Sequence, residues 1–318
     1  MQVHRDINNL PPFKDTVLTI GTFDGVHSGH VEIIKQVKKE AENINGSSLI
    51  ITFDPHPRMV LAPDQNTSLQ LLNTLQEKIE LIESHGIDHL VIVPFTKTFA
   101  EQHPQEYIKE FLVEKFHPQI IITGYDHHFG KDRKGNYKML EEYGAEGKYK
   151  VEEIPAHVLD NVSISSTKIR QALKDGNISS ANQSLGYEYF FTGIVVDGNK
   201  LGRELGYPTA NIYVADEHKL IPPYGVYAVT VKIRNEDESF ETAPFHNGMM
   251  NIGIRPTIGD NKIMTEVNIF DFDENIYGKE MRVYVRNFMR REIKFESLDE
   301  LVIQLTKDEV SARKQLAS

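Results

Sequence analysis

The sequence contains no cysteine among its 318 residues. This absence excludes disulfides, thiolate catalysis and cysteine-ligated zinc. Long apolar stretches are missing as well, since no run reaches the roughly 18 apolar residues that a membrane-spanning helix needs. Residues 1–14 are mixed and polar, without the apolar core of a signal peptide. We therefore expect a cytoplasmic protein that has no membrane partner.

Positive charge is also in deficit. The chain carries 35 Lys and Arg against 46 Asp and Glu, a formal net charge of −11. Because a polyanion would be repelled over most of such a surface, this charge argues against non-specific binding of nucleic acid. The length suits two domains, each with a core of its own. Composition therefore predicts a protein that acts on small anionic molecules. It leaves open whether the protein is a monomer or a weak homo-oligomer.

The first half of the chain predicts an open, doubly wound α/β sheet of the Rossmann-like type. Four short runs are rich in Val and Ile and do not alternate, which is typical of strands buried on both faces. These runs are Thr16–Ile20, Ser48–Phe53, His89–Phe95 and Gln119–Thr123. Between them, apolar residues recur at helical spacing. The predicted helices are Val31–Asn43, Leu69–His85 and Pro104–Phe116.

Polar and glycine-containing segments follow the four predicted strands. They are Gly21–His30, Asp54–Pro57, Thr96–Thr98 and Gly124–Gly135. In open parallel sheets, ligands bind beyond the carboxyl ends of the strands, so we expect these segments to meet at one crevice. A further segment, Ile164–Gly176, is typical of a loop that leads into a short helix ending at its glycine.

The second half of the chain predicts a small antiparallel β-barrel, because strand-like runs follow one another without intervening helices. These runs are Phe190–Val196, Ala210–Val214, Gly225–Ile233, Phe245–Ile254, Thr265–Phe270 and Glu280–Phe288. A final helix, roughly Ser297–Gln315, is expected to close the barrel. The change of pattern predicts two domains, residues 1–185 and 186–318.

The first candidate site is His27-Ser28-Gly29-His30, between a predicted strand and a predicted helix. Two histidines three residues apart can face the same way, and the free N–H groups of a helix start favour a phosphate beside them. Gly25 and Gly29 permit a tight turn. The pattern suits nucleotidyl transfer with Mg²⁺, since a phosphate nucleophile needs orientation and charge neutralisation rather than deprotonation. The alternatives are histidines that merely cap or pack the helix, and metal ligation, which lacks a third ligand with recognisable spacing.

A second set of residues complements the histidines. Ser165, Ser166, Thr167 and Arg170 combine hydroxyls at a helix start with a guanidinium one turn later, a pattern suited to the phosphates that leave as pyrophosphate. Taken alone, the same residues are typical of an ordinary helix cap with a solvent-exposed arginine.

The second candidate site lies in the predicted barrel. No Walker A motif is present, so a kinase here is not of the P-loop type. Thr209 and Asn211 follow a glycine-containing loop and offer hard oxygen ligands for Mg²⁺–ATP. Alternation puts Glu266 and Asn268 on one face of a strand, where a carboxylate at the barrel mouth can deprotonate a primary alcohol. The alternatives are plain turn chemistry for Thr209 and Asn211 and a solvent-facing Glu266.

Several segments of the first half resemble, in order and spacing, the adenylyltransferase module of bacterial bifunctional riboflavin kinase/FAD synthetases, which are H-x-G-H nucleotidyltransferases. These segments are Gly21–His30, Phe53–Pro57, Gly124–Gly130 and Ile164–Arg170. The resemblance implies that FMN attacks ATP to give FAD and pyrophosphate. It implies contacts to the ATP phosphates by His27 and His30, and to the leaving group by Ser165, Thr167 and Arg170. Further nucleotide or flavin contacts are implied at Gly21, Phe23, Asp24, Gly25, Gly29 and Asp126.

The second half resembles the flavokinase module of the same family, a small β-barrel that phosphorylates the 5′-hydroxyl of riboflavin. The matching segments are Gly202–Asn211, Pro223–Tyr227, Asn251–Thr257, Glu266 and Ile276–Gly278. The resemblance implies that Thr209 and Asn211 bind Mg²⁺–ATP and that Glu266 is the base. It implies further ligand contacts at Gly202, Arg203, Gly206 and Arg255. The family usually has a histidine at the position of Asn268.

The leading hypothesis is therefore a two-module enzyme that converts riboflavin to FMN and FMN to FAD with ATP. A second hypothesis is that only the first domain is active, as an adenylyltransferase for another phosphorylated precursor. A third is a non-catalytic protein whose barrel holds FMN. The second and third hypotheses leave the candidate residues of one domain or both without a role.

Overall fold

A computed structural model gives the fold of this chain. It describes residues 1–62, 69–124, 127–145, 149–154, 164–198, 201–235, 238–257 and 260–317. Within these ranges, residues 254–257 and 260–262 are described by their backbone alone. Tertiary contacts divide the chain into two compact units, Met1–Ser166 and Thr167–Ser318. Contacts thus group residues 167–185 with the second unit, and the functional boundary at residue 185 remains a prediction.

The first unit is built on a six-stranded sheet in which all paired strands are parallel. Its strands are β1 (Gln2–His4), β2 (Thr16–Ile20), β3 (Ser48–Asp54), β4 (His89–Pro94), β5 (Pro118–Gly124) and β6 (Lys150–Ile154). Their order across the sheet is β1-β4-β3-β2-β5-β6. The predicted parallel α/β sheet is therefore confirmed, and β2 to β5 are its four predicted strands.

Helices connect these strands and cover both faces of the sheet. They are α1 (Ser28–Asn43), α2 (Pro57–Leu61), α3 (Leu75–Ser84), α4 (Lys97–Ala100), α5 (Pro104–Glu106), α6 (Glu114–Phe116) and α7 (Tyr137–Ala145), with a π-helix at Tyr107–Val113 and a 3₁₀ turn at Lys131–Arg133. One apolar core joins α1 and α3 to alternate strand residues such as Val17 and Ile50. A second core joins the π-helix and α7 to their neighbours Leu18 and Leu49. The non-alternating runs thus arise because each strand packs on both sides.

The structure corrects the sequence prediction in three places of this unit. β1 and β6 were missed because they are the outer strands of the sheet and are short and polar. The helix predicted from Leu69 begins at Leu75, since Thr74 forms a capping box with Glu77. The helix predicted over Pro104–Phe116 is divided, because its middle seven residues are π-helical.

The second unit contains a closed barrel of six antiparallel strands. They are β7 (Phe190–Val196), β8 (Ala210–Tyr213), β9 (Gly225–Arg234), β10 (Phe245–Thr257), β11 (Asp260–Ile269) and β12 (Glu280–Arg290). The order is β10-β11-β8-β7-β12-β9, and pairing of β9 with β10 completes the ring. The predicted barrel is confirmed. The helices of the unit are α8 (Ser166–Lys174, starting at the boundary), α9 (Ile178–Leu185), α10 (Leu201–Glu204) and α11 (Leu298–Leu316).

Strand register separates the inside of the barrel from its outside. Tyr227, Met250 and Val267 lie opposite one another on β9, β10 and β11, and none of their surface is exposed. Alternate residues of the strands therefore fill the interior with apolar side chains. The intervening positions, which include the exposed Ile194 and Phe245, form the outer face.

The C-terminal helix α11 packs on that outer face. Ala312 of the helix lies in one apolar cluster with Ala228 and Met249, which are outer-face residues of β9 and β10. The Arg290 guanidinium donates to both carboxylate oxygens of Asp308, at 2.5–3.1 Å, and so joins β12 to the helix. The prediction that this helix closes the barrel was wrong, because pairing between strands closes it.

Candidate active sites

The N-terminal site begins in the loop after β2, where the backbone turns through left-handed conformations. The φ angle is 47° at Phe23 and 87° at Gly25, and glycine adopts such values with little strain. Phe23 and Asp24 are each only 2% exposed. Phe23 packs in the core, and Oδ1 of Asp24 accepts the N–H of Leu72 at 2.9 Å. Phe23 and Asp24 were predicted to contact nucleotide, and in the structure their side chains stabilise the loop through contacts with the protein interior.

Three of the four segments predicted to share one crevice meet at the carboxyl edge of the sheet. The Thr52 hydroxyl at the end of β3 donates to the Thr22 carbonyl at 3.1 Å. The N–H of Phe95, just after β4, donates to the Asp54 carbonyl at 3.2 Å. This edge of the first unit therefore gathers the loops after β2, β3 and β4.

The histidine pair stands at the start of α1. The rings of His27 and His30 are stacked, with centroids 3.7 Å apart and planes inclined by 16°. His27 is the N-cap residue, and its Nδ1 accepts the backbone N–H of His30 at 3.4 Å. Because Nδ1 of His27 accepts this hydrogen bond, the proton of a neutral His27 ring lies on Nε2. A Cβ at Gly29 would come within 3.3 Å of the His27 ring, so glycine leaves room for the pair.

The charge of His30 is set by its surroundings. Burial holds its pKa well below the ordinary value of 6.5, and the charges of His27 and Lys78 lower the pKa further. His30 is therefore a neutral imidazole at pH 7. Its Nδ1 is buried and has no hydrogen-bond partner among the described residues. Such an atom is available to a ligand that enters the site.

Lys78 on α3 is a residue of this site that the sequence analysis missed. Its side chain is 6% exposed, and Nζ lies 3.4 Å from Oγ1 of Thr52. Burial lowers the pKa of Lys78, while the carboxylates of Asp24 and Asp54 act in the opposite direction. One feature of the sequence could have identified Lys78. It lies on the apolar stripe of a helix, one position before Ile79 and four before Ile82, and charged residues are uncommon on such a stripe.

We expect Lys78→Met to weaken the first unit by about 3 kcal/mol, because removing one member of a buried charge cluster leaves the remaining charges uncompensated. Hydrogen exchange of the β2 and β3 amides, followed by mass spectrometry, would measure this loss. The exposed Lys39 of α1 provides the matched control, and Lys39→Met should change stability by less than about 0.5 kcal/mol. Equal protection of the two variants would contradict a compensating role for Lys78.

The residues predicted to hold the leaving group surround the start of α8. One of the predicted hydroxyls, that of Ser166, donates to the Asp24 carbonyl at 2.8 Å. Ser165 belongs to the first unit, whereas Thr167 and Arg170 are grouped with the second. The Arg170 side chain is buried and Thr167 is exposed. Asp126 lies outside the described residues.

The C-terminal site is a shallow, open recess on the barrel. Its lining residues are Gly198, Arg203, Pro208, Thr209, Asn211 and Tyr277. Oδ1 of Asn211 is buried and has no hydrogen-bond partner in the described part of the chain. A Cβ at Gly198 would lie 2.0 Å from the Asn211 amide, so this position needs glycine. The structure thus brings the predicted Thr209 and Asn211 to one recess.

Glu266 lies directly beside this recess in the strand register. It is paired with Asn211 on β8 and with Asn251 on β10, so the three side chains share one face of the sheet. The fully buried Val267 points to the interior. Glu266 is therefore on the outer face of the barrel, opposite in direction to Val267, as the predicted alternation requires. Its neighbours are two amides that suit a carboxylate.

The turn before Thr209 explains the predicted glycines. Gly206 has a φ of 83°, and the N–H of Tyr207 donates to the Gly202 carbonyl at 2.7 Å. A Cβ at Gly202 would come within 2.3 Å of the Tyr207 carbonyl. Both glycines are thus required by the turn itself. The backbone of Arg255 lies on β10, and its side chain is not described.

Two features are absent from the described residues. No group of three or more His, Cys, Asp or Glu side chains there is arranged to hold a metal ion. No helix in that part of the structure is long and apolar enough to cross a membrane.

Comparison with known proteins matches both units. The family model for FAD synthetase matches residues 11–168, and the model for riboflavin kinase matches residues 185–316. The bifunctional riboflavin kinase/FMN adenylyltransferase of Listeria monocytogenes is 38% identical over 93% of this chain and 91% of its own. The proteins of the same name from Haemophilus influenzae and Escherichia coli are 36% and 35% identical over 98% of this chain, and over 98% and 97% of their own. This chain belongs to the bifunctional riboflavin kinase/FMN adenylyltransferase family.

A solved structure agrees with the fold of this bifunctional family member. A Streptococcus pneumoniae crystal structure titled a macrolide-efflux protein is 32% identical, with a TM-score of 0.87 over 98% of both chains. The curated relatives and both family models agree on flavin enzymes. The leading hypothesis of the sequence analysis is thus confirmed at the level of activity: this family member is a riboflavin kinase and an FMN adenylyltransferase.

Proposed function

We propose that the two activities occur at two separate places, adenylyl transfer at His27 and His30 and riboflavin phosphorylation at Thr209, Asn211 and Glu266. One observation carries the proposal: each place contains a buried polar atom without a hydrogen-bond partner among the residues that the structure describes, Nδ1 of His30 and Oδ1 of Asn211. Buried polar atoms are nearly always satisfied in folded proteins, so an unsatisfied one at a cleft favours a missing ligand.

At the N-terminal site, a phosphate oxygen of FMN attacks the α-phosphorus of ATP. The new P–O bond forms as the bond to the β-phosphate oxygen breaks, and pyrophosphate leaves with that electron pair. The helix start and the donor N–H of each histidine stabilise the charge on the five-coordinate phosphorus. Ser165, Thr167 and Arg170 contact the departing pyrophosphate, and Asp126 lies in the flavin- or nucleotide-binding crevice.

The neutral state of His30 fits this role. Because His30 is neutral, its ring stacks on that of His27 without the electrostatic repulsion that two imidazolium rings 3.7 Å apart would experience. When the negative ATP phosphates arrive, they favour the protonated form and raise the pKa of His30 from its depressed value. The pair therefore gains positive charge where the transition state gains negative charge.

At the C-terminal site, Glu266 accepts the proton of the riboflavin 5′-hydroxyl while that oxygen attacks the γ-phosphorus of ATP. The bond between the γ-phosphorus and the β-phosphate oxygen breaks, and ADP leaves with that electron pair. Thr209 and Asn211 would hold Mg²⁺ together with the ATP phosphates, because the ion usually combines one or two protein oxygens with substrate phosphates. The uncoordinated amide oxygen of Asn211 fits such an ion. Mg²⁺ would neutralise phosphate charge there. Gly202, Arg203, Gly206 and Arg255 contact the same nucleotide or flavin.

The partners follow from these reactions. Riboflavin, FMN and ATP are the small-molecule substrates, and FAD is the final product. We also propose that the protein works in the cytoplasm as a monomer or weak homo-oligomer, without a nucleic-acid or membrane partner. Its net charge of −11 supports the absence of non-specific nucleic-acid binding.

Incubation of the purified protein with riboflavin, ATP and Mg²⁺, followed by chromatography of the flavins, tests the proposal. FMN should appear first and FAD should follow. Supplied FMN should be adenylylated directly, with one pyrophosphate released for each FAD. Formation of FAD without FMN, or of neither product, would refute the proposed division between the two sites.

A further inference from the structure

We infer that Asn268 is a positioning residue of the kinase site, which holds the turn that presents Thr209 and Asn211 to Mg²⁺–ATP. Its Nδ2 donates to the Pro208 carbonyl at 2.7 Å, and the side chain is only 7% exposed. The inference depends on the proposed ligand roles of Thr209 and Asn211. It assigns to Asn268 a function that is separate from the proton transfer by Glu266.

The strand pairing shows why this hydrogen bond is needed. The ladder between β8 and β11 ends at the pair Ala210 and Val267. Pro208 and Thr209 lie beyond that end, so ladder hydrogen bonds no longer hold them. Proline has no N–H to donate, and its carbonyl belongs to the planar peptide whose nitrogen is that of Thr209. A hydrogen bond to this carbonyl therefore fixes the orientation of the Thr209 backbone.

Two other contacts hold the same turn from different sides. The Tyr207 hydroxyl lies 2.9 Å from Oγ1 of Thr306 on α11. The Tyr207 N–H donates to the Gly202 carbonyl at 2.7 Å. Both act on the residue before the proline, whereas Asn268 acts on the residue next to the ligand. Among these three contacts, the amide of Asn268 is the one closest along the chain to Thr209.

Asn268 also connects the turn to the base. It lies two residues after Glu266 on β11, and alternation places both side chains on the outer face of the barrel. One strand therefore carries the base and the support of the ATP ligands. The spacing between the carboxylate and the metal ligands is then set by the strand, because the hydrogen bond ties the turn to that strand. Loss of the bond should affect Mg²⁺–ATP more than riboflavin.

The test compares Asn268→Leu, which keeps the shape but removes the donor, with Asn268→His, which keeps a ring N–H donor. Binding of Mn²⁺ in the presence of ADP, measured by electron paramagnetic resonance, reads the site without turnover. We expect Asn268→Leu to weaken Mn²⁺–ADP binding by about tenfold and to raise KM for Mg²⁺–ATP by a similar factor, with riboflavin KM changed less than about twofold. Asn268→His should bind Mn²⁺–ADP at least about threefold more tightly than Asn268→Leu, because its ring N–H restores the donor.

Asn182→Leu is the matched control within the same unit. Asn182 also donates its amide to a backbone carbonyl, that of Val285 at 3.0 Å, and it is on α9. Its loss should lower the melting temperature and leave Mn²⁺–ADP affinity unchanged. If Asn268→Leu behaves in the same way, Asn268 is merely structural and the inference is overturned.

Thr209→Val and Asn211→Leu separate the inference from the proposed function. If both variants keep wild-type Mn²⁺–ADP affinity, the ligand roles are wrong and the inference fails with them. If both lose affinity and Asn268→Leu does not, the proposed function stands and only the inference is overturned. Loss of affinity in all three variants, with recovery in Asn268→His, supports it.

Discussion

The His30→Ala variant is expected to convert riboflavin to FMN at the wild-type rate and to form FAD about 100-fold more slowly, or slower still. The substitution removes a preorganised donor to the phosphorus, and loss of one such donor typically costs about two to three orders of magnitude in kcat. The kinase residues lie in the other unit of the chain, so their geometry is unchanged. FMN should therefore accumulate in the one-pot reaction with riboflavin.

The measurement is FAD formation from supplied FMN, followed by chromatography of the flavins. His85→Ala is the matched control. The Thr74 end of α3 adjoins the site, whereas His85 caps the opposite end of that helix, about 15 Å away along its axis. That variant should adenylylate FMN normally. His30→Asn, which keeps a shorter donor, should lie between His30→Ala and wild type. FAD synthesis by His30→Ala within about threefold of wild type would refute the phosphate contact.

The Glu266→Gln variant should show the opposite phenotype. We expect riboflavin phosphorylation to fall by about 10²–10⁴-fold, the usual contribution of a positioned general base. Glutamine keeps the length and polarity beside Asn211 and Asn251, so the strand register should survive. Conversion of supplied FMN to FAD should stay at the wild-type rate, because the histidine pair is untouched. Glu266→Ala should give the same separation of activities.

Initial rates of FMN formation at saturating ATP, measured across pH, check this prediction. The acidic limb of the kcat/KM profile reports ionisation of the free base, and it should disappear in Glu266→Gln. Glu241→Gln is the control, since Glu241 is exposed on the connection between β9 and β10 and hydrogen-bonds to Lys232 and Ser239 through its backbone. A kinase rate for Glu266→Gln within about tenfold of wild type would exclude it as the base.

Much of the fold was predictable because its signals are local. Buried parallel strands show as uninterrupted apolar runs, and β2 begins and ends at the predicted residues. The antiparallel barrel strand β7 also has the predicted bounds. The outer strand β6 carries Lys150 and Glu152, so only its register with β5 identifies it as a strand. The role of α11 was not predictable either. Its apolar residues indicate a packed helix, but the surface it covers depends on which face of the barrel is outside.

The site was predictable in part for the same reason. His27 and His30 belong to a short motif, and their stacking follows from their spacing on one helix. Lys78 reaches the site from a helix about fifty residues later in the chain, so no motif contains it. The bond between the Ser166 hydroxyl and the Asp24 carbonyl was not predictable, because it is a long-range contact.

The sequence by itself determined the two modules, the family and the residue types of each candidate site, because these depend on patterns within short segments. Only the tertiary structure decided that His30 is a buried neutral imidazole, that Glu266 lies on the outer face beside Asn211, and that Asn268 supports the Pro208 turn. Burial, register and long-range hydrogen bonds depend on which segments become neighbours in the folded chain. Those neighbours set the charge and direction of each side chain, and charge and direction decide the chemistry.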